Sequence, residues 1–135
     1  AIYDASATAN RKMSRANFLG PVAPSPGDIA ETSFSFANNQ VTFANITGFL
    51  FNNAVVRSFS AQVSVSIDAD TDLFENFEIN GIQKASTWEI SVESTGDVSG
   101  VLFDITSSGQ VQYTSENKTG FVSGTMKFRA TVTGV

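Results

Sequence analysis

The sequence has no cysteine and no histidine among its 135 residues. These absences exclude disulfide bonds, the usual zinc sites and nucleophilic sites of the Ser-His-Asp or Cys-His type. A pair of carboxylates could still cleave a glycosidic bond, but the acidic residues fall mainly at alternating or turn positions, where solvation accounts for them. We therefore expect a protein that is not an enzyme and that needs no cofactor.

Long hydrophobic runs and positive charge are also scarce. The longest apolar runs, such as Phe49-Leu50-Phe51, are far shorter than the roughly 20 residues that cross a bilayer, so we expect no membrane insertion. Residues 28–135 carry 12 acidic and 5 basic side chains, a net charge of −7. A surface of that sign repels phosphate groups, and nucleic acid is therefore not expected as a partner.

Proline is confined to the beginning of the chain, where all three prolines lie between Gly20 and Gly27. We interpret residues 1–28 as an extended, Pro-rich anchoring arm, because the small and polar residues before the prolines offer little material for a core. We expect the arm to bind other proteins of the same assembly, and a solvated tail is the alternative. The candidate contact residues are basic or apolar: Ile2, Tyr3, Arg11, Lys12, Arg15, Phe18 and Leu19.

From Ile29 onward, apolar and polar residues alternate with a period of two, which is typical of β-strands with one wet face. The clearest run covers residues 59–67, and residues 88–93, 101–105, 111–113 and 126–132 repeat the pattern. We predict about eight short strands and no helix of normal length. The predicted fold class is all-β, a jelly-roll-like antiparallel β-sandwich over residues 29–135.

Short polar segments separate these runs and favour tight turns. They are Asn52-Asn53, Asn80-Gly81, Gly96-Asp97, Ser107-Ser108-Gly109 and residues 117–120. Loops carry binding function more often than strands do, so side chains on these turns are candidates for contact with a surface. The candidates are Asn52, Asn53, Asp97, Asn117 and Lys118, and ordinary turn chemistry is the alternative.

The acidic residues Asp68, Asp70 and Asp72 stand two positions apart after the longest strand. Three carboxylates at this spacing can converge on a calcium ion if the chain forms a loop. The segment is not an EF-hand, because Leu73 and Ile79 occupy the positions of the required glycine and glutamate. A solvated acidic turn without an ion is the alternative.

Phenylalanine is abundant, with 12 residues in the chain. Neighbours such as Leu73 and Phe74 cannot both face one core within a regular strand. We therefore expect part of the aromatic surface to lie in a subunit interface, where aromatic residues are enriched. A bulge or loop that folds both side chains inward is the alternative.

Seven segments carry a resemblance to domains at the distal ends of bacteriophage fibres and related trimeric adhesive proteins. They are Ser-Phe-Ala-Asn-Asn-Gln at 35–40, Ile-Thr-Gly-Phe at 46–49, Val-Arg-Ser-Phe at 56–59, Gly-Ile-Gln at 81–83, Gly-Gln-Val-Gln-Tyr-Thr-Ser at 109–115, Gly-Phe-Val-Ser-Gly at 120–124 and Lys-Phe-Arg at 127–129. The resemblance implies a compact β-sandwich like the tumour-necrosis-factor jelly roll. It also implies a homotrimer that is exposed on the virion, on the tail or the capsid, and that binds a host-surface glycan or protein.

Three functions follow from this interpretation. The first is a trimeric fibre or spike-like module for host attachment. The second is a capsid decoration (cement) protein anchored by its N-terminal arm, because a small domain behind a short peptide arm also suits that role. The third and least favoured is a polysaccharide depolymerase, since 135 residues leave little room for an elongated catalytic groove.

Overall fold

A computed structural model describes residues 25–135 of the chain. The predicted contacts of the arm, which concern Ile2, Tyr3, Arg11, Lys12, Arg15, Phe18 and Leu19, lie outside the described residues. The described part consists of eight strands joined by short connections. They are β1 (Ile29–Phe36), β2 (Ala44–Leu50), β3 (Val56–Asp68), β4 (Leu73–Gln83), β5 (Trp88–Gly96), β6 (Leu102–Ile105), β7 (Gln110–Thr114) and β8 (Ser123–Gly134).

The strands form two antiparallel sheets. The larger sheet has five strands in the order β1-β8-β3-β4-β5, and the smaller has three in the order β2-β7-β6. β8 returns beside β3 after the chain has contributed β6 and β7 to the other sheet, which gives the larger sheet a Greek-key order of the kind found in jelly rolls. The predicted all-β sandwich of about eight strands is confirmed. Residues 25–135 contain no helix that is long and apolar enough to span a bilayer.

Stacked aromatic rings join the two sheets across the core. Phe49 of β2 stacks on Phe128 of β8 with ring centroids 4.3 Å apart. Phe51, which follows β2 directly, stacks on Phe59 of β3 at 4.0 Å. Trp88 of β5 packs against the second stack, 6.0 Å from Phe51. Each stack takes one ring from either side of the sandwich, so together they fix the separation of the sheets.

The structure places most phenylalanine residues inside the sandwich. Six are buried and three more pack against the core, namely Phe36, Phe49, Phe51, Phe59, Phe77 and Phe128, with Phe34, Phe103 and Phe121. Within residues 25–135 only Phe43 and Phe74 are substantially exposed, at 44% and 58%. Leu73 pairs with Ile67 and Phe74 with Ser66 in regular register, so the alternative of a bulge does not apply there. Within residues 25–135, these two exposed rings are the phenylalanine side chains that remain candidates for a subunit interface.

One predicted turn is wrong. Asn80-Gly81 lies inside β4, where Asn80 pairs with Ser60 and Gly81 with Phe59. Gly81 does not have the positive φ of a turn residue. A Cβ atom at this position would collide with the ring of Phe59 on the neighbouring strand. The glycine is present because it leaves room for that ring, as glycine in a strand often does.

We expect Gly81→Ala to lower the free energy of unfolding by about 1–3 kcal/mol, because the added methyl group overpacks the core against Phe59. Thermal unfolding followed by circular dichroism measures the change. Asn80→Ala is the matched control, since Asn80 is on the exposed face of the same strand. Unchanged or increased stability of Gly81→Ala would contradict the packing role.

Candidate binding surface

The connections between strands gather at two ends of the sandwich. The β2–β3, β4–β5 and β6–β7 connections lie at one end, which we call the first end. The β1–β2, β3–β4, β5–β6 and β7–β8 connections lie at the opposite, second end. The five candidate loop residues are consequently divided, with Asn52 and Asn53 at the first end and the other three at the second.

At the first end, Asn53 connects three parts of the fold. Its Oδ1 accepts a hydrogen bond from the indole Nε1 of Trp88 at 2.8 Å. Its Nδ2 donates to the carbonyl oxygen of Ser107 at 3.0 Å. Asn52 closes its own turn by accepting a bond from the backbone N–H of Ala54 at 2.8 Å. Both amides therefore have structural partners, as expected from ordinary turn chemistry.

The candidates at the second end also have partners. Asp97 accepts a hydrogen bond of 3.0 Å from a backbone N–H of β4. Asn117 Oδ1 accepts one of 2.8 Å from the side chain of Asn38. Lys118 Nζ lies 3.0 Å from the carboxylate of Glu116. The Asn117 bond joins two connections, the Asp97 bond holds a connection against β4, and the Lys118 contact lies within one connection. None of them directs the candidates toward a common ligand.

The three aspartates considered for calcium do not converge. Asp68 ends β3, and the backbone N–H of Asp70 donates to the carbonyl oxygen of Thr119 at 3.1 Å. Asp72 Oδ1 accepts a long bond of 3.4 Å from the backbone of Ala69. Within residues 25–135, no three acidic side chains come together in a group that could hold a metal ion. The segment has the geometry of an acidic turn.

An apolar groove lies at the second end, between the edges of the two sheets. Its volume is about 860 Å³. Ten large apolar side chains are exposed in residues 25–135, and half of them line this groove: Val41, Phe43, Val92, Val98 and Leu102. Such a concentration of exposed apolar surface is typical of interaction sites. We call Val41, Phe43, Val98 and Leu102 the rim of the groove.

The groove exists because the two sheets differ in width. The smaller sheet leaves part of the inner side of β5 uncovered, so that Val92 is 40% exposed although its side chain points inward. Phe77 and Phe103 meet edge to face at 4.9 Å beneath this opening. Residues 97–101 then pass along the groove and carry Val98, which is 81% exposed.

A partly buried polar contact holds residues 97–101 in place. Glu75 Oε1 accepts hydrogen bonds from the backbone N–H of Ser99 at 2.9 Å and from its hydroxyl at 2.6 Å. Ser99 is 1% exposed and Glu75 is half-buried, so this contact is partly protected from water. Sequence reasoning missed both residues, because nothing in the strand period shows that Glu75 reaches the next connection. Among the residues that the structure describes, the only ionisable ones lining the groove are Glu75 and Glu116.

We expect Asn53→Ala to cost about 1–3 kcal/mol of stability, because it leaves the largely buried Nε1 of Trp88 without an acceptor. Trp88 is the only tryptophan, so its fluorescence reports the change directly during chemical unfolding. The control is Asn117→Ala, which removes one exposed side-chain hydrogen bond. If both variants lost the same small amount, Asn53 would not be the structural link that its contacts indicate.

Comparison with known proteins finds a protein of similar fold but no matching family. No protein family and no curated protein sequence matches the chain. The tailspike protein of Acinetobacter phage vB_ApiP_P1 has a similar fold, with a TM-score of 0.51 and 14% sequence identity. The similarity covers 85% of this chain and 24% of the tailspike protein, so this chain spans about a quarter of that protein. At this identity the likeness shows a shared β-sandwich fold.

Proposed function

We propose that this chain is a non-enzymatic structural domain of a bacteriophage tail, a trimeric fibre or spike-like module that attaches the particle to a surface. The observation that carries the proposal is the fold shared with a phage tailspike protein over 85% of this chain. The seven sequence segments that resemble fibre-tip domains are independent of that comparison and support the same assignment.

The groove favours binding over catalysis. Its two carboxylates are both engaged within the protein, Glu75 with Ser99 and Glu116 with Lys118. A glycosidase needs one carboxyl group that gives a proton and a second that acts as base or nucleophile on the same sugar. To act on a sugar, Glu75 would have to break its contact with Ser99, and Glu116 would have to leave Lys118. The rest of the groove is lined by apolar side chains and by uncharged amides and hydroxyls, which suit binding.

We assign the rim to contact between subunits of the trimer, with a second copy of this chain as its occupant. Val98 and Leu102 are 81% and 63% exposed, which is costly for neighbouring apolar side chains in a monomer. The rim carries no charge of its own, and the described domain is strongly acidic. Copies of an acidic domain attract each other where their surfaces are apolar and uncharged.

We expect Val98→Glu combined with Leu102→Glu to convert the trimer to monomers at micromolar concentration, measured by sedimentation velocity. Both side chains are exposed, so the fold and its circular dichroism spectrum are retained. Leu50→Glu is the control, because Leu50 is also exposed but does not line the groove. A monomeric parent protein, or a double variant that stays trimeric, would contradict the assignment of the rim.

Attachment is tested separately with the purified protein on host cells. We expect it to bind the cell surface and to reduce phage adsorption in competition, while the sugar composition and length of capsular polysaccharide stay unchanged. Release of oligosaccharides would show a depolymerase and overturn the non-enzymatic assignment. Absence of both binding and competition would leave a decoration protein as the better interpretation.

A further inference from the structure

The larger sheet ends in a strand with one free side. β5 pairs with β4 along nine residues, from Gln83 opposite Trp88 to Glu75 opposite Gly96. No other strand within residues 25–135 pairs with β5. The backbone N–H and C=O groups on its outer side are therefore open to another extended segment. Edges of this length are covered or protected in most proteins, since they readily pair with a further strand.

The free edge carries two carboxylates on one face. Glu89 and Glu93 are four residues apart in β5, so both point to the outer face of the sheet. Glu93 stands directly opposite Glu78 of β4, and like charges in that position destabilise a sheet. The nearest arginine in this row, Arg129, donates to the amide oxygen of Gln62 instead. Lys84 Nζ lies 3.6 Å from Glu89 in an exposed and therefore weak ion pair. Glu78, Glu89 and Glu93 still outnumber this one basic group, so the edge carries a net negative charge beside unpaired backbone groups.

We propose that residues 11–15 of this chain bind along the free edge of β5, with Arg15 beside Glu89 and Arg11 beside Glu93. Arg11 and Arg15 are the only two basic residues of the sequence that stand four positions apart. Their spacing equals that of the two glutamates, so in an extended segment both arginines lie on one face. Two charge-assisted contacts and the backbone hydrogen bonds of the edge then form together.

The chain enters the described structure at a point from which this contact is within reach. Gly27 packs against Val56 and Val132 at the first end, the end at which β5 begins. Three strand spacings, about 15 Å, separate β8 from β5. The ten residues from Arg15 to Ser25 span up to about 33 Å when extended. A segment that continues from there toward the second end runs antiparallel to β5, like every other pair in this sheet.

A second copy of β5 is a poor occupant of the same edge. Antiparallel pairing of two β5 strands about Ser91 would set Glu89 of each copy against Glu93 of the other. Four carboxylates would then face one another across the new pair, which is unfavourable. The arm carries a net charge of +2 over residues 1–27, whereas residues 28–135 carry −7. Charge complementarity therefore favours the basic segment of this chain.

A disulfide trap tests the proposed register in the full chain. Met13 would face Ser91, and because the chain has no cysteine, Met13→Cys with Ser91→Cys gives one unambiguous pair. We expect an intramolecular disulfide on mild oxidation, seen as a faster band on a non-reducing denaturing gel. The control is Met13→Cys with Ser64→Cys, since Ser64 is equally exposed on β3, which has neighbours on both sides.

Each result of the trap supports or overturns the contact. Rapid intramolecular closure for Ser91 and not for Ser64 supports it. Equal closure of both pairs, or closure of neither, overturns it. Covalent dimers or trimers of the Ser91 variant would show that the segment of a neighbouring copy occupies the edge, and the contact within one chain would be wrong.

The charges are tested by limited trypsin digestion of the full chain. Glu89→Gln with Glu93→Gln is expected to speed cleavage after Arg11, Lys12 and Arg15 about fivefold, the size expected for two exposed ion pairs. Glu31→Gln with Asp104→Gln removes the same charge elsewhere and serves as the control. Raising the salt concentration should reduce the difference in cleavage rate between the parent protein and the variant with Glu89→Gln and Glu93→Gln. Equal cleavage rates in all three proteins at low salt would overturn the proposal.

Discussion

The stacking of phenylalanine rings between the sheets is the interaction on which the rest of the fold depends. Phe49 on Phe128 and Phe51 on Phe59 set the sheet separation, and they also fix the start of the β2–β3 connection. The backbone N–H of Phe51 donates to the carbonyl oxygen of Gly109, which ties the β6–β7 turn to the core. Gly109 has a φ of +89°, and a side chain there would collide with the backbone of Phe51. The aromatic core thus determines which connections meet at the first end.

Unequal sheet width determines the character of the second end. The first residue of β5, Trp88, is buried: it packs against the Phe51–Phe59 stack and is only 8% exposed. Four positions later Val92 is 40% exposed, because the smaller sheet ends at β6 and leaves this part of β5 uncovered. One strand therefore passes from core to surface along its length. The same difference in width produces the apolar groove on its inner side and the free edge beside it.

The alternation of apolar and polar residues was sufficient to predict the strands, because burial on one face of a strand is a local property of the sequence. Residues 59–67 lie within β3 as predicted. The predicted turn at Asn80-Gly81 was wrong because the glycine makes room for the ring of Phe59 on the neighbouring strand. Local turn preferences carry no information about such a contact. The structural roles of Asn53 and Glu75 could not be predicted either, because their hydrogen-bond partners, Trp88 and Ser99, are distant in sequence. The groove could not be predicted without knowing that a three-stranded sheet packs against a five-stranded sheet.

The acidic character of the domain limits where copies of it can meet. At physiological salt, charges separated by more than about 8 Å are largely screened, so repulsion matters mainly where two surfaces touch. The outer face of the larger sheet places Glu78 and Glu93 directly opposite each other, and contact between two such faces would add like charges. The rim is different, because Val98 and Leu102 are apolar and the carboxylates nearby are engaged with Ser99 and Lys118. Association of identical acidic domains is therefore least opposed at the rim, and a basic segment is the partner best suited to the acidic edge of β5.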